Sequence, residues 1–499
     1  MNCKETNKFR IKLDKKHRVI AAITLVYWLC SFFFEQLVFV PGAAGAHVFN
    51  YALVKLLSLV TIYALLIFFT NAFAGMRSSG PEAQMLKYLL PVFLLVTGFW
   101  VISNAWPLGY GDQFNIINAV YEYDTLAGFF NYLTMYVYMV ALNILPFARF
   151  AVVFKIFLIS LAAGYCIYRL RRVYPSVLAF LVYAPFLIPP GFYMSYNIHR
   201  CPMYAPLYMV FSCMILCDHL EGRSLGKWKF ILLSLVVAVL TQWRSEGIYL
   251  VVFAPVLLYL CYRPELSKKT AAFALAAMMT AQMIVFIPQS LESSKAEDVG
   301  GGRTMPLFEY LITNMERKGL DKEKNAEDLA IVDKYLSVEA IHALNEENGD
   351  YNYNDNLIIY YGKRHGASLE TIEDFKAAVI RIVVKNPLVY IRTQLGAWSY
   401  ISTANYYERK LDYISNIFTD LYVPSIWLIG LWVYLLVKKK WCFWFMTSCH
   451  LCHMAITTAL LPAAYFKYYY SEYLYAVLTV VLVLILWRKN IGLKKQLNS

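Results

Sequence analysis

Residues 48–73 read VFNYALVKLLSLVTIYALLIFFTNAF, and this stretch determines which fold class the chain can adopt. Its side chains are mostly apolar, and Lys55 is its only charged residue. As a helix rising about 1.5 Å per residue it would be roughly 39 Å long, which exceeds the roughly 30 Å hydrocarbon core of a bilayer. An apolar stretch of this length predicts a transmembrane helix.

Similar apolar stretches recur along the 499 residues, of which 59% are hydrophobic and 16% are charged. The mean hydropathy of +0.48 excludes a string of soluble domains. We predict an all-α polytopic membrane protein with about 12 transmembrane helices, interfacial helices and an external, mainly helical segment. The predicted spans are 18–40, 48–73, 86–106, 147–169, 174–194, 202–218, 228–243, 247–262, 270–289, 415–437, 441–463 and 470–488.

The basic residues of this chain, whose net charge is +13, cluster in short segments between the apolar stretches. Such clusters are typical of the cytoplasmic side of a membrane protein. The predicted spans place Lys4–Arg18, Arg169–Arg172 and Lys438–Lys440 on one side, provided that 131–146 is an interfacial or re-entrant helix that does not cross. We therefore expect both termini in the cytoplasm, and we expect no nucleic-acid partner.

Composition divides the chain into three regions. Residues 1–289 form an N-terminal transmembrane region whose external loop, 107–146, is the candidate catalytic loop. Residues 290–412 form an external, mainly helical segment, and 18 of the 33 acids of the chain lie between Glu292 and Asp374. Residues 413–499 form a C-terminal transmembrane region.

Asp112 is the first candidate catalytic residue. It lies in Trp106-Pro-Leu-Gly-Tyr-Gly-Asp112-Gln-Phe-Asn115, at the end of a predicted span, where a carboxylate is costly and is retained mostly for function. It would act as a general base or a metal ligand; the alternative is an ordinary loop acid or a helix N-cap. Glu122 and Asp124 are candidates for a second carboxylate pair, against the alternative of a solvated helix face.

Three groups of polar residues lie on the predicted external side with Asp112. Arginine and lysine are the side chains that hold phosphate groups, so these positions indicate a phosphate site. The alternative is that the cations anchor the helices at the membrane interface beside aromatic rings, and that Arg244 and Glu246 pair with each other across a short turn. The candidate binding residues are His199, Arg200, Arg244, Glu246, Lys467 and Tyr468.

Ten cysteines are present, and most of them, including Cys261 and Cys442, lie in apolar stretches as small hydrophobic residues. We expect no disulfide framework. The stretch Cys449-His450-Leu-Cys452-His453 matches a haem-attachment spacing and offers zinc ligands, but it lies in the middle of a span. We therefore expect His450 or His453 to form a polar contact inside the helix bundle.

The order of these motifs resembles that of bacterial membrane glycosyltransferases of the GT-C superfamily. Gly111-Asp112 resembles the catalytic acid of the family at the start of an external loop, and Arg244-Ser-Glu246-Gly247 resembles an Arg-x-Glu-Gly stretch common in such proteins. Phe466-Lys467-Tyr468 is similar to the tyrosine-rich start of a late span, with lysine in place of arginine. Lys385-Asn386-Pro387-Leu-Val-Tyr390 also resembles an external segment of bacterial relatives.

This resemblance implies a plasma-membrane enzyme that transfers a sugar from a polyprenyl-phosphate-linked donor to a cell-envelope glycan or lipid-linked acceptor on the external face. It implies that Asp112 acts as the base and that the external cations hold the leaving phosphate. The family acid usually follows the first span, whereas Asp112 follows the third predicted span and has no adjacent second acid. A two-carboxylate metal site is therefore not expected, no cofactor is assigned, and a divalent metal is left open.

Two alternative functions remain at this point. A polysaccharide polymerase or ligase acting on lipid-diphosphate glycans would use the external arginines and His199 in place of a carboxylate. A lipid or glycan transporter would carry an inverted repeat and polar residues in the middle of the membrane. We find no repeat, and His450 and His453 are the ionisable residues nearest the middle of a span.

Overall fold

The computed structural model describes most of the chain. The described residues are 14–103, 112–125, 132–188, 191–198, 201–223, 226–262, 268–296, 305–348, 362–364, 368–403, 420–460 and 465–497.

The described part of the chain is helical, and its one extended pairing is an isolated bridge between Leu336 and Lys363. The helices before residue 300 are α1 (Lys15–Phe34), α2 (Ala43–Ala46), α3 (Val48–Ala74), α4 (Pro81–Ser103), α5 (Asp112–Tyr121), α6 (Tyr132–Ile144), α7 (Phe150–Val173), α8 (Ala184–Leu187), α9 (Gly191–Tyr196), α10 (Cys201–Glu221), α11 (Lys227–Trp243), α12 (Leu250–Tyr262) and α13 (Lys268–Ala296). The later helices are α14 (Met305–Arg317), α15 (Ala326–Asp333), α16 (Val338–Asn348), α17 (Leu369–Lys385), α18 (Pro387–Thr403), α19 (Tyr422–Val437), α20 (Trp441–Leu460) and α21 (Tyr470–Leu497).

Six of the described helices are long and apolar enough to cross a membrane. This confirms a helical protein with several membrane-spanning segments, while the predicted number of about 12 spans stays a prediction. Six other apolar helices, among them α6, are shorter. At about 1.5 Å per residue α6 is roughly 20 Å long, less than the core of a bilayer. The six long helices are Lys15–Leu37, Val48–Ala74, Pro81–Ser103, Phe150–Val173, Cys201–Glu221 and Tyr470–Asn490.

The predicted span 174–194 differs from the structure. It is divided into a 3₁₀ helix, Val177–Tyr183, and the short helices α8 and α9. The chain folds back on itself here. The backbone at Gly191 passes so close to Pro185 that a Cβ on Gly191 would lie 1.6 Å from the Pro185 carbonyl oxygen. Only glycine allows such an approach of two backbone segments.

The core of the bundle is built around four helices: α4 packs on α7, α7 packs on α10, and α10 packs on α21. Most side chains of α10 are buried. The helices α4 and α7 approach closely at Gly164, where a Cβ would lie 2.9 Å from the backbone nitrogen of Leu89. Buried cations in the spans have partners: Lys55 Nζ lies 2.6 Å from Glu35 Oε2, and Lys155 donates to the carbonyl oxygen of Asn197.

An ion-pair network holds one end of the bundle, which we call the Arg169 end because α7 and α10 end there and α11 begins. Arg169 Nη2 lies 2.9 Å from Asp218 Oδ1, and Asp218 is fully buried. Asp218 also accepts a hydrogen bond of 2.7 Å from Tyr262 and contacts Lys229. The network joins the four helices α7, α10, α11 and α12 at this end.

One pair of cysteines, which the sequence suggested as small hydrophobic residues, forms a disulfide bond. Cys261, at the end of α12, is bonded to Cys442, at the start of α20, with a Cα–Cα distance of 5.3 Å. The two residues are 181 positions apart, so the sequence pattern gives no sign that these helix ends are neighbours. Among the described cysteines seven others are free.

The acid-rich segment forms a helical core of its own from α14, α15, α16 and α17. These helices lie within 290–412, the segment that the sequence predicts to be mainly helical. Asp328 lies 2.7 Å from both Arg381 and Lys385, which joins α15 to α17. The helix α18 leads back to the bundle, where Gln394 donates a 2.9 Å hydrogen bond to the carbonyl oxygen of Ala459.

Candidate functional site

Arg244 and Glu246 form an ion pair at the opposite end of the bundle, which we call the Arg244 end. Arg244 follows the last residue of α11 and is 1% exposed. Its Nε donates a 3.2 Å hydrogen bond to Glu246 Oε2, and its Nη2 donates to Oε1. Gly247 permits this turn, since a Cβ there would lie 2.7 Å from the carbonyl oxygen of Leu240. The structure therefore shows the pairing of Arg244 with Glu246 that the sequence gave as an alternative to a phosphate site.

Arg244 also contacts two further elements of the bundle. Its guanidinium carbon lies 5.1 Å from the centre of the Tyr468 ring and 6.0 Å from that of Tyr204, and its Nη1 donates to Cys201 Sγ. Cys201 and Tyr204 belong to the first turn of α10, and Tyr468 belongs to the 3₁₀ helix before α21. Arg244 thus fixes the position of Tyr468.

Lys467 is the more accessible cation at this end, because its side chain is only partly buried. Its Nζ lies 4.7 Å from the ring centre of Tyr465 and 5.4 Å from that of Tyr468. Within the described part of the chain no carboxylate lies within ion-pair distance of it. Tyr468 is thus contacted by two cations, and we call Arg244, Lys467 and Tyr468 the cation site.

A buried histidine and glutamate lie beside the cation site. His453 Nδ1 of α20 is 2.7 Å from Glu472 Oε1 of α21, and the two residues are 0% and 2% exposed. The ring of Tyr204 stacks on His453 at 5.6 Å, so Tyr204 connects this pair to Arg244. Ser471 donates to the Glu472 carboxylate. Sequence reasoning did not assign Tyr204, Glu472 or Cys201 to a site, since their contacts join distant segments.

His450 lies deeper in the bundle and forms the polar contact that the sequence predicted. One of its ring nitrogens, Nε2, is 2.9 Å from Ser212 Oγ. Its ring lies between those of Tyr208 and Tyr475, at centroid distances of 4.0 and 3.8 Å. Among the described residues no group of three or more His, Cys, Asp or Glu side chains is placed to hold a metal ion.

An apolar cavity of about 390 Å³ lies between helices of the bundle. Its walls come from α4, α6, α7, α10 and α11. Trp243, which directly precedes Arg244, and Met203, two residues after Cys201, line it at the Arg244 end, whereas Met85 and Tyr165 line it nearer the Arg169 end. The cavity wall is therefore joined to the cation site through the neighbouring residues Trp243 and Arg244.

The candidate acids Asp112, Glu122 and Asp124 lie at or near the two ends of α5. Asp112 is the first residue of α5, and its side chain lies outside the described residues. Glu122 is exposed, and Asp124 Oδ1 lies 3.6 Å from His47 Nδ1, so Asp124 faces a histidine. The candidate residues His199 and Arg200 lie outside the described residues.

The helix that begins at Asp112 is connected to the Arg244 end through α6. The helix α5 packs on α6, and Thr134 of α6 accepts a 3.0 Å hydrogen bond from Trp243 Nε1. Trp243 precedes Arg244 and lines the apolar cavity. The cavity wall therefore links α6, on which α5 packs, to the cation site.

Comparison of the chain with protein-family models, with curated proteins and with solved structures finds no match. The fold itself defines the class: a helical protein with several helices of membrane-crossing length.

Proposed function

We propose that this protein is a glycosyltransferase of the bacterial plasma membrane that transfers a sugar from a polyprenyl-linked donor to a cell-envelope glycan or lipid-linked acceptor. One observation carries the proposal: Trp243, which lines the apolar cavity, is followed in the chain by Arg244, whose guanidinium lies 5.1 Å from the Tyr468 ring that Lys467 also contacts. A polyprenyl phosphate has the matching chemistry, since its chain is apolar and its headgroup is anionic. Cavities of about 300–1,000 Å³ are typical of ligand sites.

In this proposal Lys467 and Arg200 stabilise the phosphate that leaves the sugar. Lys467 is suited to this because it is partly exposed and rests on the rings of Tyr465 and Tyr468. Arg244 has a different role from the one expected, because its guanidinium is already bound at two points by Glu246. It is a positioning residue that holds Tyr468, and through Tyr468 the lysine.

Asp112 takes the proton of the acceptor hydroxyl, whose oxygen attacks the anomeric carbon as the bond to the phosphate oxygen breaks. The reaction inverts the anomeric centre and releases polyprenyl phosphate. Inversion requires the base and the phosphate-binding cations on opposite sides of the sugar. The helix α5, which begins at Asp112, packs on α6, which is hydrogen-bonded to Trp243 at the Arg244 end. Positioned bases contribute about 10²–10⁴ in rate, and fixed cations near developing charge contribute a similar or larger factor.

The Asp112→Asn variant tests this role. We expect transfer from a polyprenyl-phosphate sugar to fall by about 10²–10⁴ with unchanged folding, because the amide cannot accept the proton. The matched control is Asp14→Asn, which changes an exposed acid before α1 and should leave transfer unchanged. Full transfer activity of the Asp112→Asn protein would remove the base from the mechanism. Loss of transfer in His199→Ala alone would favour the polymerase or ligase alternative.

The His453–Glu472 pair favours a transporter as the second candidate function. Ionisable pairs inside a membrane protein often serve proton or ion coupling, and these two residues are buried near the cation site. A transporter would move the lipid-linked sugar across sealed vesicles without cleaving it, and Glu472→Gln would stop that movement. Transfer of the sugar in detergent, where no gradient exists, would exclude this candidate.

A further inference from the structure

A second cavity, of about 530 Å³, lies at the Arg169 end of the bundle, far from the cation site. It is formed where α4 begins and α7 ends. Three cations line it: Lys87 from α4, and Arg171 and Arg172 from α7. The other lining residues include Tyr88 and Tyr168, and none of them is an acid.

Aromatic groups hold both arginines of this cavity. The guanidinium carbon of Arg171 lies 5.7 Å from the ring centre of Tyr88 and 5.1 Å from that of Phe180. Arg172 Nη1 donates a 3.2 Å hydrogen bond to the hydroxyl of Tyr168. Stacking on a ring orients a guanidinium but leaves most of its five N–H donors available. The two side chains are therefore oriented without being neutralised.

Arg169, on the same helix, provides an internal comparison. It points into the bundle and is paired with Asp218 at 2.9 Å and with Glu221 at 3.4 Å. In the described ranges no carboxylate lies within ion-pair distance of Lys87, Arg171 or Arg172. Arg169, which faces inward, is thus paired with acids, whereas within the described ranges the three cations that line the cavity are not.

We propose that this second cavity binds a phosphate group, carried by an anionic phospholipid headgroup or by a soluble phosphate compound. Arginine forks match phosphate oxygens in geometry, and basic pockets between membrane helices recognise such headgroups. The lipid source fits the surroundings, since Leu90 and Leu94 continue along α4 as exposed apolar side chains. The site is separate from the proposed glycosyl transfer and does not depend on it.

Native mass spectrometry of the full-length protein, titrated separately with phosphatidylglycerol, phosphatidylcholine and inorganic phosphate, tests this site. We expect phosphatidylglycerol to bind at least about tenfold more tightly than phosphatidylcholine, and each cation removed to weaken binding about fivefold. The test variant is Lys87→Gln/Arg171→Gln/Arg172→Gln. The matched control is Lys438→Gln/Lys440→Gln/Arg488→Gln, which removes three exposed cations elsewhere and should keep the preference.

The outcomes separate the two sources of phosphate. If the test variant loses phosphatidylglycerol binding and the control variant keeps it, the ligand is a lipid headgroup. If the wild type binds inorganic phosphate, and the test variant loses this binding while the control keeps it, the ligand is a soluble phosphate compound. If the triple variant does not fold, Arg172→Gln, at an exposed side chain, replaces it with an expected fivefold loss. The proposal would be overturned if a folded variant bound phosphatidylglycerol and inorganic phosphate as tightly as the wild type does.

Discussion

At the scale of single residues, Arg244 shows how structure changes a role that sequence suggests. The sequence grouped Arg244, Glu246, Lys467 and Tyr468 as candidate binding residues, because each lies at the edge of an apolar stretch beside aromatic residues. It could not show that the Arg244–Glu246 pair would be buried, since burial depends on Cys201 and Tyr204 from another helix. It also gave no reason to join His453 to Glu472, which are in different helices.

The Arg244→Ala variant should be strongly destabilised, because Glu246 would remain buried without its partner. We expect the free energy of unfolding, measured by thermal unfolding in detergent, to fall because the Glu246 carboxylate loses the guanidinium of Arg244. The double variant Arg244→Met/Glu246→Leu should recover most of this stability, since it removes both charges together. Recovery of stability without recovery of transfer would support positioning of Tyr468. Unchanged stability of Arg244→Ala would contradict the ion pair.

The Lys467→Gln variant should fold normally and transfer sugar about 10²–10³ times more slowly, because one fixed charge at the leaving phosphate is lost. Lys467→Arg should retain most of the activity. The measurement is single-turnover transfer at saturating donor, with thermal unfolding as the check on folding. Equal rates for Lys467→Gln and the wild type would place the phosphate elsewhere.

At the scale of elements, apolar length predicted helices well where the chain is regular. The predicted span 48–73 is helix Val48–Ala74, and the lone charge in it, Lys55, is neutralised by Glu35. The predicted span 174–194 is divided into short helices, and hydropathy does not reveal the close backbone contact between Pro185 and Gly191. The cavities depend on how helices pack, and no single stretch of sequence encodes them.

The contact between α4 and α7 is testable at Gly164. A Cβ there would lie 2.9 Å from Leu89 N and 3.1 Å from the carbonyl oxygen of Met85, so Gly164→Ala must push the helices apart. We expect a destabilisation of about 1–3 kcal/mol by thermal unfolding. The control is Gly98→Ala in α4, where the added Cβ meets nothing within 4 Å. Equal stability of the two variants would argue against this packing.

At the scale of the whole molecule, the disulfide bears on orientation. Cys261 and Cys442 lie at the end of the bundle whose cations predict the cytoplasmic side, where thiols are kept reduced. We therefore expect both thiols to be free when they are trapped with maleimide in intact cells, and the bond to form in the purified protein under air. Non-reducing gels of trapped samples give the measurement. A bond already present in cells would reverse the predicted orientation.

The acid-rich helical segment should lose stability in acid. Burial opposes ionisation of Asp328, but the hydrogen bonds from Lys385 and Arg381 outweigh it and hold the pKa of this carboxyl below its usual value. A carboxyl with a lowered folded pKa stabilises the fold above its unfolded pKa of about 3.9, and this stability is lost as pH falls further. Hydrogen exchange of α15 and α17 should therefore accelerate below about pH 4. The Asp328→Asn variant should show a weaker pH dependence of this hydrogen exchange. If its exchange depended on pH as that of the wild type does, the ion pairs of Asp328 would be contradicted.

The most direct test of glycosyl transfer is an assay of the purified wild-type protein with a radiolabelled polyprenyl-phosphate donor and an envelope-glycan acceptor. We expect that label moves to the acceptor, that polyprenyl phosphate is released, and that Asp112→Asn slows both by about 10²–10⁴. Folded protein that carries the intact donor across a vesicle membrane, or binds it, without cleaving the sugar–phosphate bond would contradict it.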